Sequence, residues 1–251
     1  MVFLSRVPLH AARYAHQKLN PLLFSTLSIN EYPKSGGTWV CRMLRDVTGY
    51  RFDDNAIPRP GPAIVKYHRL PLGVSPLAVI VRDPRDVFVS LFHHSNAVFE
   101  DDPFNSEIVE VTHSEVFDSA ASEHERLAAF VARQLSQPIY PRFSWHAFYE
   151  HFSARGVPIF RYEDFRSNPA DTLAQLLERV GVVAAADRLA EVAETHSIET
   201  ILARRETEGD AGGSNFIRRG KVGGFADTLD PASIALIEAA EGTTMRKFGY
   251  L

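Results

Sequence analysis

The sequence predicts an α/β fold: a central, mostly parallel β-sheet flanked by helices, in a single domain. Three observations lead there. Short apolar, β-rich runs alternate with longer stretches of helical period. Each run is bounded by glycine, proline or a polar cluster, as buried parallel strands are. The residues able to do chemistry gather just past the runs, at the strand ends where open α/β sheets bind ligands.

The elements follow in order. LLFSTLSIN (22–30) reads as the first strand, running into the loop EYPKSGGTW (31–39) and a helix marked by Trp39, Val40, Met43, Leu44 and Val47. AIVKYH (63–68) and LAVIVRD (77–83) read as further strands. Asp83 caps the next helix with Pro84 at its first position, and Asp86 fits a capping-box-like start. FSWHAFYEHFSARG (143–156) is a helix stopped by Gly156, and its aromatic row suits the core or an acceptor-pocket wall. VPIFRYED (157–164) is the fourth strand, and NPADTLAQLLERVG (168–181) is a helix opened by Asn168 and Pro169 and stopped by Gly181. Helical sequence continues from Val182 to about Arg205. EGDAGGSNFIRRGKVGG (208–224) then breaks all period, as a functional or a disordered loop does. The last helix is capped by Asp230 with Pro231 behind it.

Composition narrows the class. A chain of 251 residues with 45% apolar content buries a full core, expected here over about 22–251. A net charge of −4 gives no global attraction to nucleic acid or anionic membrane, so an anion site must come from local clustering. Cys41 is the only cysteine and lies in an apolar helix pattern, which excludes an internal disulfide and points to a buried thiol in a reducing compartment. No secretory core and no apolar stretch of roughly 20 residues is present, so a cytoplasmic protein without a membrane span is expected. The ten histidines show no metal-ligand spacing, and no metal is expected.

The loop at 34–39 carries the sharpest signal. Gly36 and Gly37 let backbone amides turn inward, Thr38 adds a hydroxyl, and the helix behind presents free N–H groups to an anion. The nucleotide loop G-x-x-x-x-G-K-[ST] needs its lysine between glycine and hydroxyl. Here Gly37 passes directly to Thr38 and the lysine, Lys34, comes first, so the loop is P-loop-like but disfavours an ATP-dependent kinase. Lys66 and His68 are two apart in a strand and share a face; a cation beside an imidazole keeps it neutral, as a general base requires. Arg82 lies at a strand end with Ser90 two helical turns on, and Arg218, Arg219 and Lys221 form a cationic cluster among glycines. The stretch 95–144 is a candidate acceptor-pocket and lid region; within it NAVFEDDPFNSEIVEVTHSE (96–115) is the acidic, aperiodic candidate lid, and its acidity suggests a neutral or cationic acceptor.

Taken in order, these segments resemble the sulfotransferases that use 3′-phosphoadenosine 5′-phosphosulfate (PAPS). YPKSGGTW is similar to the family's 5′-phosphosulfate loop, usually YPKSGTTW, with Gly37 replacing the first threonine. VKYHRLP resembles its KTHLP element, and VRDPRDVFVSLFHH its 3′-phosphate segment. FRYEDF resembles its YED, and FIRRGKVGGF its C-terminal RKGxxGDW loop with Gly224-Phe225 for Asp-Trp. The resemblance implies transfer of a sulfuryl group from PAPS to a hydroxyl, less readily an amine, of a small-molecule acceptor, releasing the bisphosphate PAP without a metal. Lys34 would meet the bridging oxygen and the sulfuryl group, which Lys66 helps to hold. Ser35, Gly36, Gly37 and Thr38 would hold the 5′-phosphate. Trp39 and Tyr162 would line the adenine pocket, and Arg82, Ser90, Arg218, Arg219 and Gly220 would bind the 3′-phosphate. His68 would be the base. Around His196 to Ile198 the aromatic that often closes over adenine is missing. After Lys221 the family's short dimer motif is not recognisable, so dimerisation by that route is not expected.

Overall fold

The computed structural model describes residues 12, 15–16, 18–52, 59–70, 77–101, 121–138, 140–208 and 220–251. Five strands form one sheet in the order β2-β3-β1-β4-β5: β1 (Thr26–Glu31), β2 (Arg51–Phe52), β3 (Ala63–Tyr67), β4 (Ala78–Val81) and β5 (Ile159–Arg161). The β1–β3, β1–β4 and β2–β3 pairings are parallel. After β1 the chain builds to one side through β2 and β3, then returns to place β4 on the other. The end of β1 is therefore the switch point at which such sheets receive ligands.

The chain divides into two compact units. The first holds residues up to Glu31, Gly36–Ile80 and Val157–Arg204. Its helix α1 (Gly37–Thr48) packs on β1 and β3, and its Val40, Cys41, Met43 and Leu44 are fully buried. Gly49 ends α1 in the left-handed conformation, its N–H bonding the Arg45 carbonyl at 2.9 Å. The side chain of buried Asn30 joins the ends of β1 and β3: it donates to the Arg69 carbonyl at 2.7 Å and accepts from the Arg69 and Glu31 amides. The same unit includes α5 (Tyr162–Ser167), α6 (Pro169–Glu178), α7 (Ala186–Thr195) and most of α8 (Ile198–Glu208).

The second unit holds Tyr32–Ser35, Val81–Gly156 and Arg205–Leu251. Its helices are α2 (Pro84–Asp101), α3 (Glu123–Ser136), α4 (Trp145–Ser153) and α9 (Pro231–Lys247), with a 3-10 turn at Gly224–Asp227. α9 packs on α2, α3 and α4. The expected aromatic row is core: Trp145, Phe148, Tyr149 and Phe152 are fully buried, with Tyr32 among them. Burial pushes the Tyr32 phenol well above its usual range, and its oxygen accepts from Gln134 at 3.0 Å.

Several boundaries differ from expectation. The first strand begins at Thr26, because 18–23 is helical. The fourth stops at Arg161, and Tyr162, Glu163 and Asp164 open α5 with their acids in its first turn, where the helix dipole favours them. The helical stretch from Val182 breaks into α7 and α8 at His196. Helix α3, which the sequence reading left inside the pocket region, starts with a full capping box of Ser122 and Glu125. Most of the candidate lid, 102–115 of 96–115, lies outside the described residues.

Candidate active site

In the first unit, Lys66 on β3 and His68 just beyond it come together with the start of α1. Lys66 Nζ donates to Thr38 Oγ1 at 2.6 Å and lies 3.3 Å from His68 Nε2. His68 Nδ1 is 3.3 Å from the Glu31 main-chain carbonyl. Donation from Nδ1 to that carbonyl leaves Nε2 as the acceptor, the tautomer in which an imidazole can take a proton. Lys66 stands on one side of the ring, and Glu31 Oε1 is 3.7 Å from both Lys66 Nζ and His68 Nδ1.

The glycines are placed by contact as well as by turn geometry. Gly36 caps α1 at φ +96°, and a Cβ there would meet the Tyr162 ring at 2.5 Å. Tyr162 packs edge-on to Trp39 with centroids 5.6 Å apart, and Trp39 Nε1 donates to the His196 carbonyl at 2.8 Å. His196 in turn bonds Asp46 at 2.6 Å. The Asp46 carboxyl is pushed up by burial, but hydrogen bonds from Arg45 and His196 outweigh this and hold it below the usual range. A Cβ at Gly37 would stand 2.6 Å from the Glu31 carboxyl carbon, so any other residue there requires the Glu31 side chain to move. The Gly37 amide donates to Glu31 Oε2 at 2.5 Å.

In the second unit, Lys34 has its backbone in the left-handed region at φ +72°. The Ser35 amide closes a turn on the Tyr32 carbonyl at 3.1 Å, and its hydroxyl lies 3.1 Å from the Tyr149 hydroxyl. Arg82, just past β4, reaches the carbonyls of Lys34 at 3.4 Å and Lys221 at 3.2 Å, and its guanidinium is 3.6 Å from Asp86. Gly220, at φ +57°, precedes that Lys221 contact, and Ser90 lies half-buried on α2. Arg218 and Arg219 fall outside the described residues.

Asp83 caps α2 as expected, accepting from the Arg85 amide at 2.9 Å. Asp86 does not complete a capping box. Its two oxygens each accept a main-chain N–H at 2.9 Å, from Gly223 and Phe225, and so hold the end of the C-terminal loop. Burial raises the Asp86 carboxyl above its usual range, against the pull of Arg82 and the two amides. Arg85 grips Asp83 and Glu238, bonds the Tyr250 carbonyl, and lies 4.2 Å over the Phe225 ring. That contact gives Phe225 a definite role where the family pattern has tryptophan. Sequence reasoning missed both Glu31 and Asp86. The signals were an acid at a strand end and an acid whose capping assignment was already sufficient.

Among the described residues no cluster of acids, histidines and cysteine is suited to a metal ion, and no helix is long and apolar enough to cross a membrane.

Strand order and loop define a P-loop-like α/β protein with a glycine loop between its central strand and the helix that follows. A model of the sulfotransferase domain matches residues 77–249, and the chain belongs to that family: it is a sulfotransferase. It is 23% identical over 221 residues to gorilla sulfotransferase 6B1, a match covering 76% of this chain and 67% of that protein. Among solved structures, mouse sulfotransferase SULT7A1 complexed with PAP is similar at TM-score 0.62 and 17% identity, over 88% of this chain and 85% of that one. Retinol dehydratase with androsterone and the inactive cofactor PAP is similar at TM-score 0.61 and 16% identity, over 94% and 85%. The same enzyme with retinol and PAP gives 0.62 at 16%, over 95% and 86%.

Proposed function

We propose that this sulfotransferase uses PAPS and transfers its sulfuryl group to a hydroxyl, less readily an amine, of a small neutral or cationic acceptor, in the cytoplasm. The observation that carries the reading is the Thr38–Lys66–His68 chain beside the glycine loop, a hydroxyl, a cation and a base in consecutive contact. The family match and the PAP held by the solved relatives support the donor, and the androsterone and retinol complexes of one of them support a small alcohol as acceptor. Gly36 and Gly37, which have no room for side chains, suit close approach of the backbone to a 5′-phosphate.

PAPS supplies an activated sulfuryl group whose leaving group is the 5′-phosphate of PAP. His68 takes the acceptor's hydroxyl proton at Nε2, a step a positioned base typically accelerates by about 10² to 10⁴. Lys66 holds the sulfuryl oxygens, and Lys34 steadies the charge that grows on the bridging oxygen. Sulfuryl transfer, like phosphoryl transfer, depends on in-line positioning and charge stabilisation, and lysines supply the positive charge here. Arg82, with Ser90, Arg218, Arg219 and Gly220, takes the 3′-phosphate, which ATP lacks; Trp39 and Tyr162 flank adenine. Thermal unfolding with and without nucleotide tests this. PAP should raise the melting temperature well above the shift given by ATP or ADP, in the absence of magnesium. Equal stabilisation by ATP would instead favour an ATP-dependent phosphotransferase, and no stabilisation by any nucleotide a chain that does not bind one.

A further inference from the structure

The geometry points to Glu31 as a resident anion of the phosphate loop, a carboxylate that competes with the donor's 5′-phosphate for the same groups and so sets donor affinity. This deepens the PAPS reading and rests on it. Glu31 ends β1, and its side chain, only 3% exposed, turns back over the first turn of α1. Its Oε2 accepts the Gly37 amide at 2.5 Å, the amide that the loop would offer a phosphate. Its Oε1 lies 3.7 Å from Lys66 Nζ, the ammonium that otherwise serves Thr38 and His68. Gly37 completes the case. No side chain fits there while Glu31 is in place, because a Cβ would come within 2.6 to 3.0 Å of all three carboxyl atoms. An acid at 31 and a glycine at 37 are therefore one feature, not two.

The amide can serve one anion at a time. A phosphate entering the loop must release the carboxylate from Gly37, and Lys66 must then divide its charge between Glu31 and the incoming sulfuryl group. Charge-assisted bonds of this kind are strong enough that their exchange shows in affinity.

Glu31→Ser and Glu31→Gln are compared with wild type by calorimetric titration of PAP and by thermal unfolding in inorganic sulfate. Circular dichroism confirms that each variant is folded, and Glu31→Gln keeps the side-chain shape if Glu31→Ser does not fold. Freeing the loop should tighten PAP binding about tenfold or more and strengthen stabilisation by sulfate. Gly37→Ala should lower the melting temperature of the wild type but not of the Glu31→Ser variant. A purely structural Glu31 predicts the opposite for ligand: weaker or unchanged binding. PAP and sulfate binding equally to wild type and to both variants would overturn the inference while leaving the PAPS reading intact. Sulfate favouring the variants while PAP binds none of the chains would remove the PAPS reading and with it the claim on donor affinity, leaving Glu31 only as a competitor of inorganic anions at the loop. Binding of neither probe to any folded chain would end both.

Discussion

Replacing Gly36 by alanine adds one methyl group at a place where the backbone and a neighbour both resist it. Gly36 sits at φ +96°, and a left-handed residue with a Cβ costs about 1–2 kcal/mol. The new Cβ would stand 2.5 Å from Tyr162 Cδ2 and 2.9 Å from Cε2, against an ordinary carbon contact of about 3.5–4.0 Å. Tyr162 is buried and set against the Trp39 ring, so the clash is relieved only by moving both, an overpacking cost of about 1–3 kcal/mol. The sum, about 2–5 kcal/mol, corresponds to a fall in melting temperature of roughly 4–20 °C for a chain of this size. Thermal unfolding of Gly36→Ala, Tyr162→Ala and the double variant separates the two parts. The steric share should vanish in the double variant as a coupling of about 1–3 kcal/mol, while the backbone share persists. A Gly36→Ala protein that melts with the wild type, or a double variant whose losses simply add, would refute the close approach of loop and ring.

His68→Ala should reduce kcat by about 10² to 10⁴ and leave PAP binding unchanged, as measured by turnover with labelled PAPS and by calorimetry; unaltered turnover would remove the base role. Arg85→Met keeps the stem but strips the guanidinium from Asp83, Glu238 and Phe225, and should cost about 3–5 kcal/mol in urea unfolding while increasing hydrogen exchange at 223–227. The depressed Asp46 carboxyl gives a pH dependence with a definite sign. Its stabilising share is present above the unfolded value of about 3.8 and is lost as pH falls through the lower folded value, so the acid limb of a melting-temperature profile should flatten in Asp46→Asn.

The parts of the candidate site written in local chemistry are readable as motifs. A lysine before two glycines and a threonine, a Lys-x-His pair at a strand end and an arginine after another strand are each short enough to read in line. What remained hidden depends on residues distant in sequence. Nothing local says that Asp86 holds Gly223 and Phe225, 137 and 139 positions away, or that Arg85 supports Phe225. The loop sequence does not show that Gly37 lies against the side chain of Glu31, whose direction a strand end does not reveal. Helix α3 is the reverse case: its Ser122-Glu125 capping box was readable, but the acidic, aperiodic stretch before it drew the reading toward a lid. At YED the local signal was ambiguous, since an apolar strand and the helix opening at its last residue share the same letters.

Lys34 carries an ammonium group on a backbone angle that most side chains avoid. On the proposed function, position 34 would answer to two independent demands, and they disagree about its replacements. Glycine or asparagine would settle the backbone more comfortably and lose the charge, while arginine would keep a charge and the strain together but not the compact point cation. Drift at this position is hemmed in from both directions. A loss of turnover in any single variant of Lys34 would therefore mix folding with chemistry, and only asparagine and arginine read side by side would tell which demand had been broken.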